Sequence, residues 1–242
     1  MVQIGFKNDK GIRRTNNEDA CFIVPSDDVY IVADGVGGNN AGEIASRTAV
    51  SIIAEYVKEH PISEVKDENE LSSYFMKCLE KANTEIYALA RKFDSNKGMA
   101  TTIVVAYLKD DRAYIVNVGD SRAYLIRDDK MNQVTEDHTY VNELVKNGII
   151  TEEEGERHPK RNIITRALGG DALVEPDIFR IGIKKDDVLL LCTDGLYNEV
   201  SEDKIVSIIS EADSMTDACR LLVNAANRSG GRDNITVICL KI

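Results

Sequence analysis

The sequence is poor in several features that mark large classes of protein. Among its 242 residues there is no tryptophan, and there are only four prolines and three histidines. Its longest apolar runs, such as 103–108 and 188–192, fall far short of the roughly 20 residues that a membrane-spanning helix needs. The first residues lack a basic cluster followed by an apolar stretch and a cleavage site, which predicts no secretion signal. We therefore expect a cytoplasmic protein that does not enter a membrane.

Positive charge is scarce as well. The chain has 30 lysines and arginines against 41 aspartates and glutamates, a formal net charge of −11. Binding to the phosphates of nucleic acid requires a basic face, so we expect no nucleic-acid partner. The five cysteines are odd in number, widely spaced and set mostly within apolar runs. This pattern predicts buried free thiols in place of a disulfide framework or a zinc site.

What the chain does contain is an ordinary globular composition, with 43% hydrophobic and 29% charged residues. Short runs rich in β-branched residues predict strands. These runs are 21–24, 29–33, 101–108, 112–118, 123–126, 188–192 and 235–240. Apolar residues spaced three and four apart predict helices over 41–59, about 71–93 and around 215–226.

The order of these elements indicates the fold class. Runs of strands joined by short turns, with helices after the first strands and near the end, are typical of an α+β fold in which helices cover antiparallel sheets. Because no repeat, low-complexity tract or flexible linker interrupts the chain, we expect residues 1–242 to form a single domain. The least patterned stretch is 147–170. A loop this long inside a compact domain is usually functional or mobile.

Acidic residues lie at or next to the ends of five predicted strands. They are Asp34, Asp120, Asp194, Asp233 and the pair Glu18 and Asp19. If these strand ends meet at one edge of a sheet, their carboxylates repel each other strongly unless cations hold them. The distribution of acids therefore predicts a metal site.

Two of these aspartates precede glycine, and an Asp-Gly pair is most often a hairpin turn. A two-residue hairpin needs a returning strand directly after it. Gly35 and Gly195 instead lead toward helical stretches, so neither pair is expected to close a hairpin.

Other chemistries fit the sequence less well. The segment around Gly35 lacks the third glycine of a dinucleotide fingerprint, and Ala123 stands where a nucleophile elbow at Ser121 would need glycine. A site of carboxylate and carbonyl oxygens suits Mg²⁺ or Mn²⁺ better than zinc. Two such ions can activate a water for in-line attack on phosphorus. Arg14, close before the first acids, is either a solvated surface residue or a clamp for the phosphate.

At this point the residues resemble the metal-dependent Ser/Thr protein phosphatases, the PPM or type 2C family, in its small bacterial form. The resemblance spans nearly the whole chain and rests on many short blocks in one order. The blocks are RTNNED (14–19), ADGVGG (33–38), AGEIAS (41–46), GMATT (98–102), VGDSR (118–122), DH (137–138), NIITRALG (162–169), TDG (193–195) and GRDNIT (231–236).

The resemblance implies an αββα sandwich, two packed antiparallel sheets flanked by helices, with two core Mn²⁺ or Mg²⁺ ions at one edge. Asp34 would bridge the ions, the Gly35 carbonyl would complete one, and Asp194 and Asp233 would hold the other. Asp120, helped by Asp194, would bind a third, weaker ion. Glu18, Asp19 and Asn234 would support the site through waters or hydrogen bonds, and Arg14 would bind the substrate phosphate.

The resemblance also implies what the protein acts on. We expect a metal-activated water to hydrolyse phosphoserine and phosphothreonine in proteins, opposing a bacterial Ser/Thr kinase, with the enzyme acting as a monomer. The segment 147–170 resembles the family's flap beside the cleft, which influences substrate choice.

Two positions depart from the family pattern. Animal members carry a histidine proposed to protonate the leaving group where this chain has Val36, so a metal-bound water is the preferred proton donor here. Ala100 replaces a glycine that is common before the Thr pair. Two other functions stay open: a regulator without activity on the same fold, and a metal phosphoesterase for small molecules.

Overall fold

The computed structural model describes residues 2–38 and 41–242, and this part of the chain forms eleven β-strands and seven α-helices. The strands are β1 (Gln3–Asp9), β2 (Asp19–Val24), β3 (Val29–Val36), β4 (Ala100–Thr101), β5 (Ile103–Lys109), β6 (Arg112–Val118), β7 (Arg122–Arg127), β8 (Lys130–Gln133), β9 (Asp177–Gly182), β10 (Val188–Cys192) and β11 (Ile235–Lys241). The helices are α1 (Ala41–Glu59), α2 (Glu68–Lys92), α3 (Tyr140–Lys146), α4 (Glu152–Glu156), α5 (Asp194–Tyr197), α6 (Glu202–Glu211) and α7 (Met215–Ser229).

The strands form two sheets, and the pairings between neighbouring strands are antiparallel. The first sheet has the order β1-β11-β10-β7-β8, and the second has the order β2-β3-β5-β6-β9 with β4 added against β3. The turn between β6 and β7 carries the chain from the second sheet to the first. It contains Asp120, so this acid lies where the two sheets meet.

Three apolar layers hold the elements together. One lies between the second sheet and helices α1 and α2, where Ile31 and Phe75 are fully buried. Another lies between the first sheet and helices α6 and α7, and includes Leu190. The third lies between the two sheets and includes Ile115. The predicted α+β class and the implied αββα sandwich are therefore confirmed.

Local sequence explains where the main helices form. Helix α1 covers 41–59 as its spacing predicts, and Ala45, Ala49, Ile53 and Val57 form its buried stripe. Helix α2 begins after Asp67, whose side chain accepts hydrogen bonds from the backbone N–H groups of two residues in the first turn.

The sequence did not predict β1, β8 and β9, nor the short helices α3 and α4. The last of these lies inside 147–170, where Thr151 and Glu154 form a capping box. All five cysteines are free thiols, as predicted, although Cys21 is only partly buried. No helix in the described residues combines the length and the apolar character needed to cross a membrane.

Candidate metal centre

A cavity of about 280 Å³ opens where the ends of strands from both sheets meet. It is lined mainly by the residues that the sequence singled out: Arg14, Glu18, Asp34, Gly35, Asp120, Asp194, Asp233 and Asn234. Asp19 lies next to them and is buried. The topology thus brings together acids that are up to 215 positions apart in the sequence (Glu18 to Asp233, 233 − 18).

Each acid reaches the cavity from a different strand end. Asp34 lies near the end of β3, which continues to Val36 and not only to Ala33 as predicted. Asp194 is the first residue of α5, directly after β10, and Asp233 comes just before β11. Antiparallel neighbours bring the end of one strand beside the start of the next, so β10 and β11 place their two acids side by side.

Asp19 is buried next to the cavity and links the two sheets. Its Oδ2 accepts hydrogen bonds from Thr193 Oγ1 at 2.9 Å and from Thr236 Oγ1 at 2.7 Å. These bonds tie β2 of the second sheet to β10 and β11 of the first. Asp19 therefore connects the two sheets next to the cavity. This contact agrees with the supporting role that the resemblance implies.

Asn234 anchors the loop that carries Arg14 and Glu18. Its Oδ1 accepts a hydrogen bond from the Glu18 backbone N–H at 2.8 Å, and its Nδ2 donates to the carbonyls of Lys10 and Asn16 at 2.8 and 2.9 Å. One amide side chain at the start of β11 thus fixes the segment that leads into β2.

Gly35 is required by close packing and not by a hairpin turn. A Cβ atom on Gly35 would lie 2.0 Å from the Gly42 carbonyl oxygen and 2.6 Å from that of Glu18. The Gly35 N–H also donates to the Glu18 carbonyl at 3.1 Å. The start of α1 can approach the metal site only because this position has no side chain.

The carboxyl groups share an unfavourable electrostatic environment. Burial and the neighbouring carboxylates raise the pKa of Asp34 well above its usual value. For the same reasons the pKa of Asp19 rises to about 8, that of Asp120 to about 7 and that of Asp194 to about 6. Without a cation, burial and repulsion favour the protonated forms of Asp19 and Asp34 at neutral pH, and that of Asp120 to a smaller extent.

Arg14 is the basic residue on the cavity wall, and it pairs with an acid. Its Nη2 lies 2.6 Å from Asp233 Oδ2, and its Nε donates to the Arg232 carbonyl at 3.3 Å. The resemblance implies a substrate phosphate as the partner of Arg14 and a metal ion as the partner of Asp233. In this conformation they instead neutralise each other.

The residues fit hard divalent cations in their chemistry. The donors are carboxylate and carbonyl oxygens, and Oδ1 of Asp194 is buried without a hydrogen-bond partner among the described atoms. Within residues 2–38 and 41–242, however, no three His, Cys, Asp or Glu side chains already form a set that could hold an ion.

Three residues of the cavity wall had not been named individually as site residues: Gly37, Asn162 and Ile164. Asn162 and Ile164 belong to the block NIITRALG and to the segment 147–170, which the resemblance places beside the cleft. A larger groove of about 840 Å³ lies beside the cavity and shares Asp120 and Asn162 with it. The segment 147–170 thus borders both the cavity and the groove.

Comparisons with known proteins agree with the fold and the motifs. The model of the family "Protein phosphatase 2C" matches residues 11–228. The chain is 38% identical to the Serine/threonine phosphatase stp of Listeria innocua over 239 residues, which covers 98% of this chain and 94% of that protein.

Solved structures give the same result. The Ser/Thr phosphatase of S. agalactiae superimposes with a TM-score of 0.92 at 34% identity, and the match covers 100% of both chains. The catalytic domain of the Ser/Thr protein phosphatase PstP, solved with two manganese ions, has a TM-score of 0.86 at 31% identity and covers 99% of this chain and 97% of that one. The chain therefore belongs to the protein phosphatase 2C family, the metal-dependent Ser/Thr protein phosphatases, in its small bacterial form.

Proposed function

We propose that this chain hydrolyses phosphoserine and phosphothreonine in proteins by direct attack of water, with divalent ions bound in the cavity. The observation that carries the proposal is the convergence of Asp34, Asp120, Asp194 and Asp233 on one small cavity that Arg14 also lines. Buried carboxylates at such proximity need either protons or cations, and only cations leave them charged at neutral pH.

The proposed ligands follow the family pattern. Asp34, the Gly35 carbonyl, Asp194 and Asp233 would hold two core ions, with Asp34 shared between them. Asp120, with Asp194, would hold a third and weaker ion. Glu18, Asp19 and Asn234 keep these groups in place, which accords with the hydrogen bonds from Asp19 to the two threonines and from Asn234 to the loop before β2.

When bound, Mn²⁺ or Mg²⁺ would supply Lewis acidity, which makes water a better nucleophile and draws charge from the phosphoryl oxygens. Arg14 orients the substrate phosphate. A guanidinium has five N–H donors, and its contacts to Arg232 and Asp233 use two of them. The position after the Asp-Gly pair is Val36, which is 45% exposed and lines the cavity. Its aliphatic side chain can neither give nor take a proton.

We further propose the setting in which the enzyme works. Residues 1–242 act as one catalytic domain, and 147–170 serves as a flap that influences substrate choice from beside the cavity. The protein acts as a cytoplasmic monomer on phosphoproteins that include a Ser/Thr kinase and its targets.

The decisive experiment compares three proteins on a phosphothreonine peptide with Mn²⁺. The unmodified enzyme should release phosphate, and a chelator should stop it. Asp34→Asn should lose at least about a thousandfold in kcat, because the bridging charge is gone while the side chain keeps its shape. Asp111→Asn is the matched control, since the Asp111 side chain is 85% exposed in a distant turn. Unchanged activity in Asp34→Asn would contradict the proposed role.

The same assay separates the two other functions. A small-molecule phosphoesterase would prefer a sugar phosphate to the phosphopeptide. A regulator without activity would be stabilised by Mn²⁺ yet release no phosphate from either compound.

A further inference from the structure

We propose that Tyr197 is a positioning residue that, together with Arg122 and Asp137, sets the place of Asp120 relative to Asp194. This inference rests on the proposed function, because it concerns the side chains that would hold the third ion. It extends that function to three residues outside the set that the sequence assigned to the site.

The first step is a hydrogen bond between two segments that carry acids. Tyr197 is the last residue of the four-residue helix α5, and Asp194 is its first residue. The Tyr197 hydroxyl donates to the backbone carbonyl of Asp120 at 2.9 Å. Helix α5 thus carries Asp194 at its start, and Tyr197 at its end binds the main chain of Asp120.

The second step is a fixed surface beneath the tyrosine ring. The guanidinium carbon of Arg122 lies 3.7 Å from the centroid of the Tyr197 ring. Arg122 donates through Nε to Asp137 Oδ1 at 2.9 Å and through Nη2 to Asp137 Oδ2 at 2.6 Å. A two-point contact of this kind fixes the plane of the guanidinium, and the flat face of the ring packs on that plane.

The third step is that Asp137 is itself held in place. Its carboxylate also accepts a hydrogen bond from Gln133 Nε2 at 3.0 Å, and its backbone carbonyl accepts one from Asn142 Nδ2 at 2.7 Å. The Arg122 and Asp137 side chains are only 23% and 14% exposed, so water does not compete freely for this ion pair. A rigid chain of contacts therefore runs from Asp137 through Arg122 and Tyr197 to Asp120.

Both segments have other contacts: Asn198 Nδ2 donates to Asp194 Oδ2 at 3.1 Å, and the Gly119 N–H donates to His138 Nδ1 at 3.0 Å. A helix of four residues has too few internal hydrogen bonds to set its own orientation. Asp120 follows Gly119, whose φ of +105° belongs to the region that favours glycine. The Tyr197 hydroxyl joins the Asp194 segment directly to the Asp120 carbonyl, and its loss removes that link between the two acids.

Tyr197→Phe removes only the hydroxyl. We expect it to raise the dissociation constant of the most weakly bound Mn²⁺ by roughly tenfold or more. This effect is typical of losing a group that orients a metal ligand. The binding isotherm is measured on the whole protein by the electron paramagnetic resonance signal of free Mn²⁺. The concentration of Mn²⁺ for half-maximal activity should rise in parallel, while the KM for the phosphopeptide changes less than about twofold.

Tyr124→Phe is the matched control. Tyr124 is buried and its hydroxyl accepts a hydrogen bond from Nη1 of the same Arg122 at 2.8 Å, but it is not bonded to Asp120. Its Mn²⁺ isotherm should equal that of the unmodified protein. Arg122→Lys keeps the charge, loses the two-point contact, and should weaken Mn²⁺ binding in the same direction as Tyr197→Phe.

An unchanged Mn²⁺ isotherm in a folded Tyr197→Phe protein would overturn the proposal, and so would equal weakening in both tyrosine variants. If Tyr197→Phe does not fold, Arg122→Lys and Tyr124→Phe decide: the proposal requires the first to weaken Mn²⁺ binding and the second to leave it unchanged. Failure of the proposed function would look different, because the unmodified protein with bound Mn²⁺ would then release no phosphate.

Discussion

Asp19 and Asp34 lie directly opposite each other in the antiparallel ladder between β2 and β3. Like charges at such a position destabilise a sheet, and here Asp19 is also only 5% exposed. Burial raises the pKa of both carboxyl groups; repulsion from Asp19 adds to the shift of Asp34, and repulsion from Asp194 and Asp233 adds to that of Asp19. The chain therefore keeps a pair of residues that opposes folding unless a proton or a cation reduces its charge.

The first prediction concerns the stability of the metal-free protein between pH 5 and pH 8. In the folded protein the pKa is about 6 for Asp194, about 7 for Asp120 and about 8 for Asp19. That of Asp34 is also well above the unfolded value of about 4. Their stabilising contribution is complete below about pH 4 and is lost as the pH rises through the folded values. The free energy of unfolding should therefore fall toward pH 8, and Mn²⁺ should restore most of it.

Urea unfolding in the presence of a chelator, repeated with Mn²⁺, measures this effect. His138 acts in the opposite direction, because burial lowers its pKa and acid then destabilises the fold. Asp19→Asn separates the two effects, since it removes one carboxyl and leaves the histidine. Its metal-free stability should depend less on pH; an unchanged slope would show that Asp19 does not titrate in this range.

A second prediction tests the close approach of the main chain at Gly35. Gly35→Ala places a methyl group 2.0 Å from the Gly42 carbonyl oxygen, so α1 or β3 must move. We expect a loss of about 3 kcal/mol in the free energy of unfolding and a large fall in activity. Gly182→Ala is the control, because nothing lies within 4 Å of a Cβ at that position. Equal denaturation midpoints for the two variants would contradict the packing argument.

The third prediction addresses Arg14 as the residue that binds phosphate. Arg14→Ala should raise the KM for a phosphopeptide about tenfold to a hundredfold, the usual effect of losing a charge-assisted hydrogen bond. Inhibition by inorganic phosphate should weaken by a similar factor. Arg13→Ala changes an adjacent exposed arginine and should leave both constants within about twofold. If the two variants behave alike, general positive charge and not Arg14 binds the phosphate.

The fourth prediction concerns proton donation to the leaving group. Val36 occupies the position of a proposed acid, and no histidine is among the described residues that line the cavity. The kcat of the unmodified enzyme should therefore show no decline at high pH from a side-chain acid. Val36→His should introduce such a decline near its pKa of about 6.5, whereas Val36→Asn should not. A decline in the unmodified enzyme whose midpoint does not change between Mn²⁺ and Mg²⁺ would indicate a side-chain donor and contradict the prediction, because the pKa of a metal-bound water depends on the metal.

The central strands and the edge strand β2 could be predicted from the sequence, whereas the edge strands β1, β8 and β9 could not. β6 and β10 have the predicted bounds because both faces are buried and nearly every residue is apolar. β1, β8 and β9 lie at sheet edges and bury few side chains, so their sequences carry no clear alternation. The hydrophobic pattern of a strand follows its burial, and these three strands have little of it.

The candidate site, too, could be predicted from the sequence only in part. The sequence by itself determined which residue types were available: acids at strand ends, glycines after two of them, and no histidine or cysteine cluster, which pointed to oxygen ligands. Only the tertiary structure decided that Asp19 opposes Asp34, that Arg14 pairs with Asp233 and that Tyr197 holds Asp120. The first relation depends on the register of β2 against β3, and the other two join segments that are distant in the chain and meet only when the sheets pack. Local sequence patterns encode neither register nor packing.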